Sequence, residues 1–327
     1  MKIDSARLLK AEIKQDILGI PYNAASGINS TSIDGHSDDA LRLGIGIAST
    51  ERPDQFKLAL RLESAEDLST PQVTRILALA HGEVDVQVTG PISVLEPALP
   101  DAQQSSPGPL RIGSTVGVEG GVGVGTAGVF VRQRGSSDPC ILSNNHVLAN
   151  SNQARLGSRV FHYANSDLAW VGHLTAFQQI RGGRARNEVD CAIAKLDPSY
   201  PVDVSTLTGG GRFTGSQSHL NHLSMTVSKV GRTTGRTHGY VTATELDTWI
   251  GFGGALGSVY FVNQIEIRGR GNPTHFSQPG DSGSLVMDRD HNAFGLLFAS
   301  SRVRDITYCN DIGKVFSALN IELIDAR

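Results

Sequence analysis

Apolar residues recur at three- and four-residue spacing near the start of the chain, at Ala6, Leu9, Ile13, Ile17 and Ile20. This spacing predicts an amphipathic helix over 2–20, ended by Gly19 and Pro21. The stretch Asn23–Asp39 is rich in Ser, Asn, Asp and Gly and reads as a loop. Period-two segments follow at Leu43-Gly44-Ile45-Gly46-Ile47 and at Phe56-Lys57-Leu58-Ala59-Leu60-Arg61-Leu62. The second alternates cleanly, which predicts one buried and one wet face. Ser69-Thr70-Pro71 offers an N-cap and a first-turn proline for a helix through His81, stopped by Gly82. Val84, Val86 and Val88 alternate with Asp85, Gln87 and Thr89 as a further strand. Residues 1–95 therefore read as a small α+β domain. A Pro/Ser-rich linker over 96–112 follows, with its richest stretch at Pro97–Pro109.

Beyond the linker the pattern changes to short apolar strands and glycine-rich turns. Helical spacing returns only near Asp311, where Ile312, Val315, Phe316 and Leu319 share a face. The fold class expected for 113–327 is mainly β, with two antiparallel barrels closed by a C-terminal helix. Composition agrees, since 37 glycines and 19% charged residues suit a turn-rich β protein. A net charge of −3 argues against a general binder of nucleic acid or anionic membranes. No apolar run of about 18 residues is present, so no membrane span is expected. The first residues carry charges at Asp4, Arg7, Lys10 and Glu12 and lack the apolar core of a secretory signal. Cys140, Cys191 and Cys309 are too few and too odd in number for a disulfide framework, which suggests a reducing cytoplasm.

No cofactor or metal is expected. Gly123-Val124-Gly125-Thr126-Ala127-Gly128 fits a dinucleotide fingerprint in letters, but it leads into the strand-like Val129-Phe130-Val131 rather than a helix. His219 and His222 have a ligand-like spacing with no further Cys/His cluster, and read as a solvated loop.

The chemistry is concentrated in three segments: Ser143-Asn144-Asn145-His146-Val147, Asp190-Cys191-Ala192-Ile193-Ala194 and Gly280-Asp281-Ser282-Gly283-Ser284. A serine hydroxyl becomes a useful nucleophile when an imidazole takes its proton, and a buried carboxylate holds that imidazole in the right tautomer. The chain order His146, Asp190, Ser282 separates this set from the subtilisin and α/β-hydrolase orders. Each residue also has a plainer reading: a core histidine, a strand-start aspartate, a turn serine.

The three segments together resemble those of chymotrypsin-like (trypsin-like) serine proteases, most of all the bacterial streptogrisin and α-lytic branch, over about 113–327. Gly125–Val131 resembles the strand leading to the histidine. Val227-Ser228-Lys229-Val230-Gly231-Arg232-Thr233-Thr234-Gly235 is similar to the strand pair opening the second barrel, and Gln278–Gly283 to the nucleophile loop. The resemblance implies that His146 and Asp190 lie on the first barrel and Ser282 on the second. It also implies an oxyanion hole from the N–H groups of Gly280 and Ser282, with a peptide or protein substrate bound extended along Gly295–Ser301. A specificity pocket is expected near Phe276, Phe298, Ser300 and Asp305. Relatives carry an aspartate near Phe276 when they select Lys or Arg, so its absence suggests a small-to-medium apolar preference. Relatives also carry, at the place of Phe298, a serine that supports the buried aspartate. Asp281 needs a cationic partner if buried. The expected partner is Lys229, with Arg232 as the fallback, or else a new amino terminus released by cleavage at Arg111-Ile112-Gly113. The function expected is an intracellular serine endopeptidase, with a silent peptide-binding module as the alternative and the N-terminal domain as a regulator or the docking point of a partner.

Overall fold

The computed structural model describes residues 1–20, 41–50, 52, 54–95, 108–164, 167–218, 223–271, 275–301 and 303–324. The loop expected at Asn23–Asp39, most of the linker and both His219 and His222 lie outside the described residues.

The first helix runs Ile3–Asp16, shorter than the periodicity suggests. Gly19 takes a left-handed φ of 62° and Ile20 N–H donates to Lys14 O at 2.8 Å, so the chain reverses before Pro21 is reached. Leu43–Ser49 pairs antiparallel with Phe56–Leu62, which pairs parallel with Val84–Val88. The crossover between the parallel strands is the helix Pro71–Ala80. The Thr70 hydroxyl caps it by accepting from Val73 N–H, and His81 leaves it in the left-handed region. The wet face expected for Phe56–Leu62 is absent. Arg61 is buried, and its guanidinium grips Glu266 through Nε at 2.7 Å and Nη2 at 2.8 Å.

That grip reflects how the N-terminal strands are attached. Leu43–Ser49 also pairs antiparallel with the long strand Gly235–Gly253, so the N-terminal strands continue one eleven-stranded sheet. The N-terminal unit keeps its own apolar core of Ile13, Leu43, Ile45, Leu58, Leu60, Val73 and Ile76. Its first helix lies along the same long strand, with Lys10 and Lys14 on Asp247 at 3.1 and 2.6 Å.

The fold is mainly β and has the chymotrypsin-like arrangement of two barrel-like sheets. The first has eight strands, in the order Ile321–Leu323, Val129–Gln133, Cys140–Ser143, Ala192–Leu196, Asp167–Phe177, Arg159–Ala164, Thr115–Val118 and Gly125–Thr126. The second is built on the hairpin Gly235–Gly253/Gly257–Arg270 together with Thr226–Gly231, Leu285–Met287, Ala293–Ser301 and Ile306–Asp311. The helix Ile312–Leu319 closes the chain. Asp311 caps it by accepting from Lys314 N–H, and Ile321–Leu323 then returns to the first sheet. Inward-facing apolar side chains fill each sheet, and one cluster spans the junction by joining Val129, Leu142 and Ile193 to Leu285 and Leu296.

Candidate active site

His146 sits in the single helical turn Asn145–Leu148 that follows Cys140–Ser143. Asp190 lies just before Ala192–Leu196, the neighbouring strand. Ser282 is in the turn before Leu285–Met287 of the second sheet. The structure brings all three together. His146 Nδ1 is 2.5 Å from Asp190 Oδ2, and His146 Nε2 is 2.7 Å from Ser282 Oγ. The His146 backbone N–H also donates to Asp190 Oδ1 at 3.2 Å, which fixes the carboxylate with both oxygens engaged. All three residues are buried.

Apart from Asn144, the residues that hold the Asp190 backbone lie outside the three sequence segments. No serine stands at Phe298. Instead Asp190 N–H donates to Asn310 Oδ1 at 3.0 Å, and Asn310 Nδ2 donates to Gln264 Oε1 at 2.7 Å. Asn144 Nδ2 donates to the Asp190 carbonyl at 2.8 Å. Phe252, from the long hairpin, sets its ring edge-on to His146 with centroids 6.3 Å apart. Asn310 and Gln264 are distant in sequence and carry no motif, so only pairing across the second sheet reveals them.

The nucleophile turn is held by both sheets. Thr126 N–H donates to the Ser282 carbonyl at 2.7 Å, and Thr126 Oγ1 donates to the Gly280 carbonyl at 2.9 Å. Gly280 has φ of 95°, a conformation that side chains avoid. Gly283 has φ of 88°, and a Cβ there would fall on Ser143 Oγ and Thr126 O. The N–H groups of Gly280 and Ser282 make no hydrogen bond among the described residues.

Asp281 is fully buried, with the Lys229 ammonium 3.1 Å from its Oδ2. Its Oδ1 accepts from Thr233 N–H at 3.0 Å and Thr234 N–H at 3.2 Å. Oδ2 accepts from Gln278 N–H at 3.0 Å and the Thr234 hydroxyl at 2.7 Å. Burial pushes the Lys229 ammonium below its ordinary value, against the pull of Asp281. Arg232 instead donates its Nε to Thr115 Oγ1 at 3.2 Å. Arg111 and Ile112 lie in a strand paired with Val202–Leu207, and Ile112 is buried.

The residues expected at the specificity pocket divide. Phe276 is buried in an apolar cluster with Val241, Ile267, Leu297 and Leu95. Phe298 offers its carbonyl to Leu95 N–H at 3.2 Å, while its ring packs on Phe261. Ser300 pairs with Ser93. Asp305 accepts from Phe276 N–H at 3.1 Å. The cysteines are buried free thiols, and burial pushes Cys191 and Cys309 well above ordinary thiol values. Among the described residues no cluster of three metal-ligating side chains occurs, and no helix is long and apolar enough to cross a membrane.

The two-sheet fold thus lines up a histidine, an aspartate and a serine at the junction of its sheets. No protein-family model matches the chain, and no curated protein matches it in sequence. Solved structures similar to it include Nocardiopsis protease (NAPase), at 17% identity over 66% of this chain and 99% of that one, with a TM-score of 0.46. Thermobifida fusca protease A is similar at 19% identity over 66% and 99%, with a TM-score of 0.45. A glutamic acid specific serine protease that uses a histidine triad in substrate binding is similar at 19% identity over 65% and 100%, with a TM-score of 0.47.

Proposed function

We propose that the chain is a serine endopeptidase that hydrolyses peptide bonds through an acyl-enzyme. The observation that carries this reading is the buried line Asp190–His146–Ser282, with contacts of 2.5 and 2.7 Å. His146 Nε2 takes the Ser282 proton as Oγ attacks the carbonyl, then returns it to the leaving amine. Asp190 keeps Nδ1 protonated and stabilises the imidazolium. The N–H groups of Gly280 and Ser282 receive the developing oxyanion, and one such donor is worth about 3–4 kcal/mol in barrier height. The substrate is a protein segment that lies extended along Ala299–Ser301 in the place that Ile92–Val94 takes in this structure, pairing with that strand once Ile92–Val94 is displaced. Three buried, unpaired thiols suit an enzyme that works in a reducing compartment.

Purified full-length protein should hydrolyse a peptide substrate and react with a fluorophosphonate probe. Ser282→Ala and His146→Ala should each lower turnover by about 10⁵-fold or more at unchanged thermal stability, because the triad acts as a unit. Turnover retained in either variant refutes the assignment. A wild-type chain that is inert to both probe and substrate leaves the silent peptide-binding module.

A further inference from the structure

We propose that Asn152 is a positioning residue, which acts through Asn145 to hold the His146 imidazole on the line between Asp190 and Ser282. The helical turn Asn145–Leu148 that carries His146 is followed by Asn150, Ser151 and Asn152, with φ of 47°, 52° and 72°. Three successive left-handed residues with side chains are unusual, because each brings its Cβ close to the following carbonyl oxygen. Two of the three are asparagine, which tolerates this region better than most residues that carry a Cβ. Such a run persists only where the surroundings over-determine it, and outliers of this kind gather at functional sites.

Here the surroundings are two side-chain amides that clasp each other. Asn145 Nδ2 donates to Asn152 Oδ1 at 2.8 Å, and Asn152 N–H donates back to Asn145 Oδ1 at 2.9 Å. The left-handed turn is closed in this way onto the first residue of the helix. Each amide also reaches a third segment. Asn145 Nδ2 donates to the Gln178 carbonyl at 2.7 Å. Asn152 Nδ2 donates to the Ile180 carbonyl at 2.8 Å, while its Oδ1 accepts from Ile180 N–H at 2.9 Å. Gln178 N–H in turn donates to the carbonyl of Cys191, the residue after Asp190, at 2.9 Å. The clasp therefore ties the turn that bears His146 to the chain beside Asp190. Ile180 is buried in the apolar cluster against which Phe252 packs, and the Phe252 ring stands edge-on to His146.

The inference rests on the protease reading and adds a residue to its machinery. Asn152 acts by placement rather than by contact with the reacting groups. Asp190 has its own backbone support in Asn144 and Asn310. His146 depends on the single turn that carries it, and a helix this short has little stability of its own. The contacts at the ends of that turn therefore decide where its side chains point. Acyl transfer is sensitive to such placement, since a shift of about 1 Å in a reacting group can cost about 100-fold in rate.

The test compares full-length Asn152→Gly with wild type, because glycine accepts the left-handed backbone and only the amide is lost. The variant should keep native circular dichroism and melt within a few degrees of wild type, while kcat falls by about 10–100-fold at little-changed KM. Proton NMR should show the Nδ1–H resonance between His146 and Asp190 shifted or broadened. Asn145→Ala should reproduce both effects, and the double variant should be about as slow as the slower single one, since both remove the same bond. Ser151→Gly relieves the backbone and leaves both amides in place, so it should keep the wild-type kcat. If Asn152→Gly has a normal kcat and an unmoved resonance, the inference is wrong and the protease reading stands. A fall in kcat with the resonance unmoved, or a loss confined to KM or to melting temperature, also overturns it. If wild type is inert to substrate and to a fluorophosphonate, the protease reading falls, and the resonance alone decides whether Asn152 places His146.

Discussion

Among the described residues, Lys229–Asp281 and Arg61–Glu266 are ion pairs sealed from water, and they serve different ends. Lys229–Asp281 lies within the second barrel and shapes the turn that carries Ser282. Arg61–Glu266 joins the N-terminal strands to the hairpin of that barrel, 205 residues apart in sequence. A desolvated pair is rarely a net source of stability over well-packed apolar groups, yet breaking one leaves a buried charge that is costly. Asp281 answers this with a dense set of backbone donors, so its geometry is over-determined. Glu266 is satisfied by Arg61, the Thr242 hydroxyl at 2.7 Å and the Tyr308 hydroxyl at 3.1 Å. Burial pushes its carboxyl up, but the guanidinium outweighs that and holds it below the usual range. The first pair therefore fixes the backbone shape of the Ser282 turn, and the second ties the N-terminal strands to the long hairpin.

The sharpest way to break the comparison is Lys229→Met. It should lower turnover by about 10²–10³-fold, since a loosened turn misplaces the oxyanion donors. Lys229→Arg should recover part of the loss. A normal kcat for Lys229→Met would show that the backbone donors alone hold Asp281. Next in size, Arg61→Met should cost about 3–5 kcal/mol in chemical denaturation, and Arg61→Met with Glu266→Gln should recover much of it. A double variant no better than the single one would mean that packing, not charge, seats the N-terminal strands.

A smaller effect comes from the first barrel. His162 is buried with Nδ1 2.8 Å from the Tyr200 hydroxyl and Nε2 unpartnered, and burial lowers its pKa to about 4. The unfolded chain takes up this proton near pH 6.5, the folded one only near 4. Stability is thus full above 6.5 and falls by about 3 kcal/mol as pH drops towards 4, after which this contribution is flat. His162→Gln should flatten that slope, as read by urea melts from pH 7 to 4. Glu266, held below the usual carboxylate range, adds a further loss of stability that sets in as pH falls below the ordinary carboxylate value. Smallest of all, Arg111→Gln should change turnover less than about 2-fold, because Ile112 is already buried in a strand and Lys229 already faces Asp281. An inactive Arg111→Gln would instead identify a cleavage-activated zymogen.

Features set by short-range chemistry were legible in the linear chain. The helix Pro71–Ala80 follows from Thr70, Pro71 and Gly82 because capping and turn preferences act over a few residues. The closing helix follows from Asp311 and an apolar face for the same reason. That His146, Asp190 and Ser282 come together was legible from their flanks and chain order. What the chain could not disclose were partners chosen across long sequence distances. Arg61 sits in an alternating strand and reads as wet, since nothing local announces Glu266. Asn310 and Gln264 carry no signature, and their role exists only once two strands align them behind Asp190. Leu95 is one apolar residue before a Pro/Ser-rich stretch. Only the sheet, by pairing Ile92–Val94 with Ala293–Ser301, lays its carbonyl against Ser282. Local propensity and reactive chemistry are properties of short segments, whereas burial, charge pairing and the occupant of a cleft depend on which distant strands become neighbours.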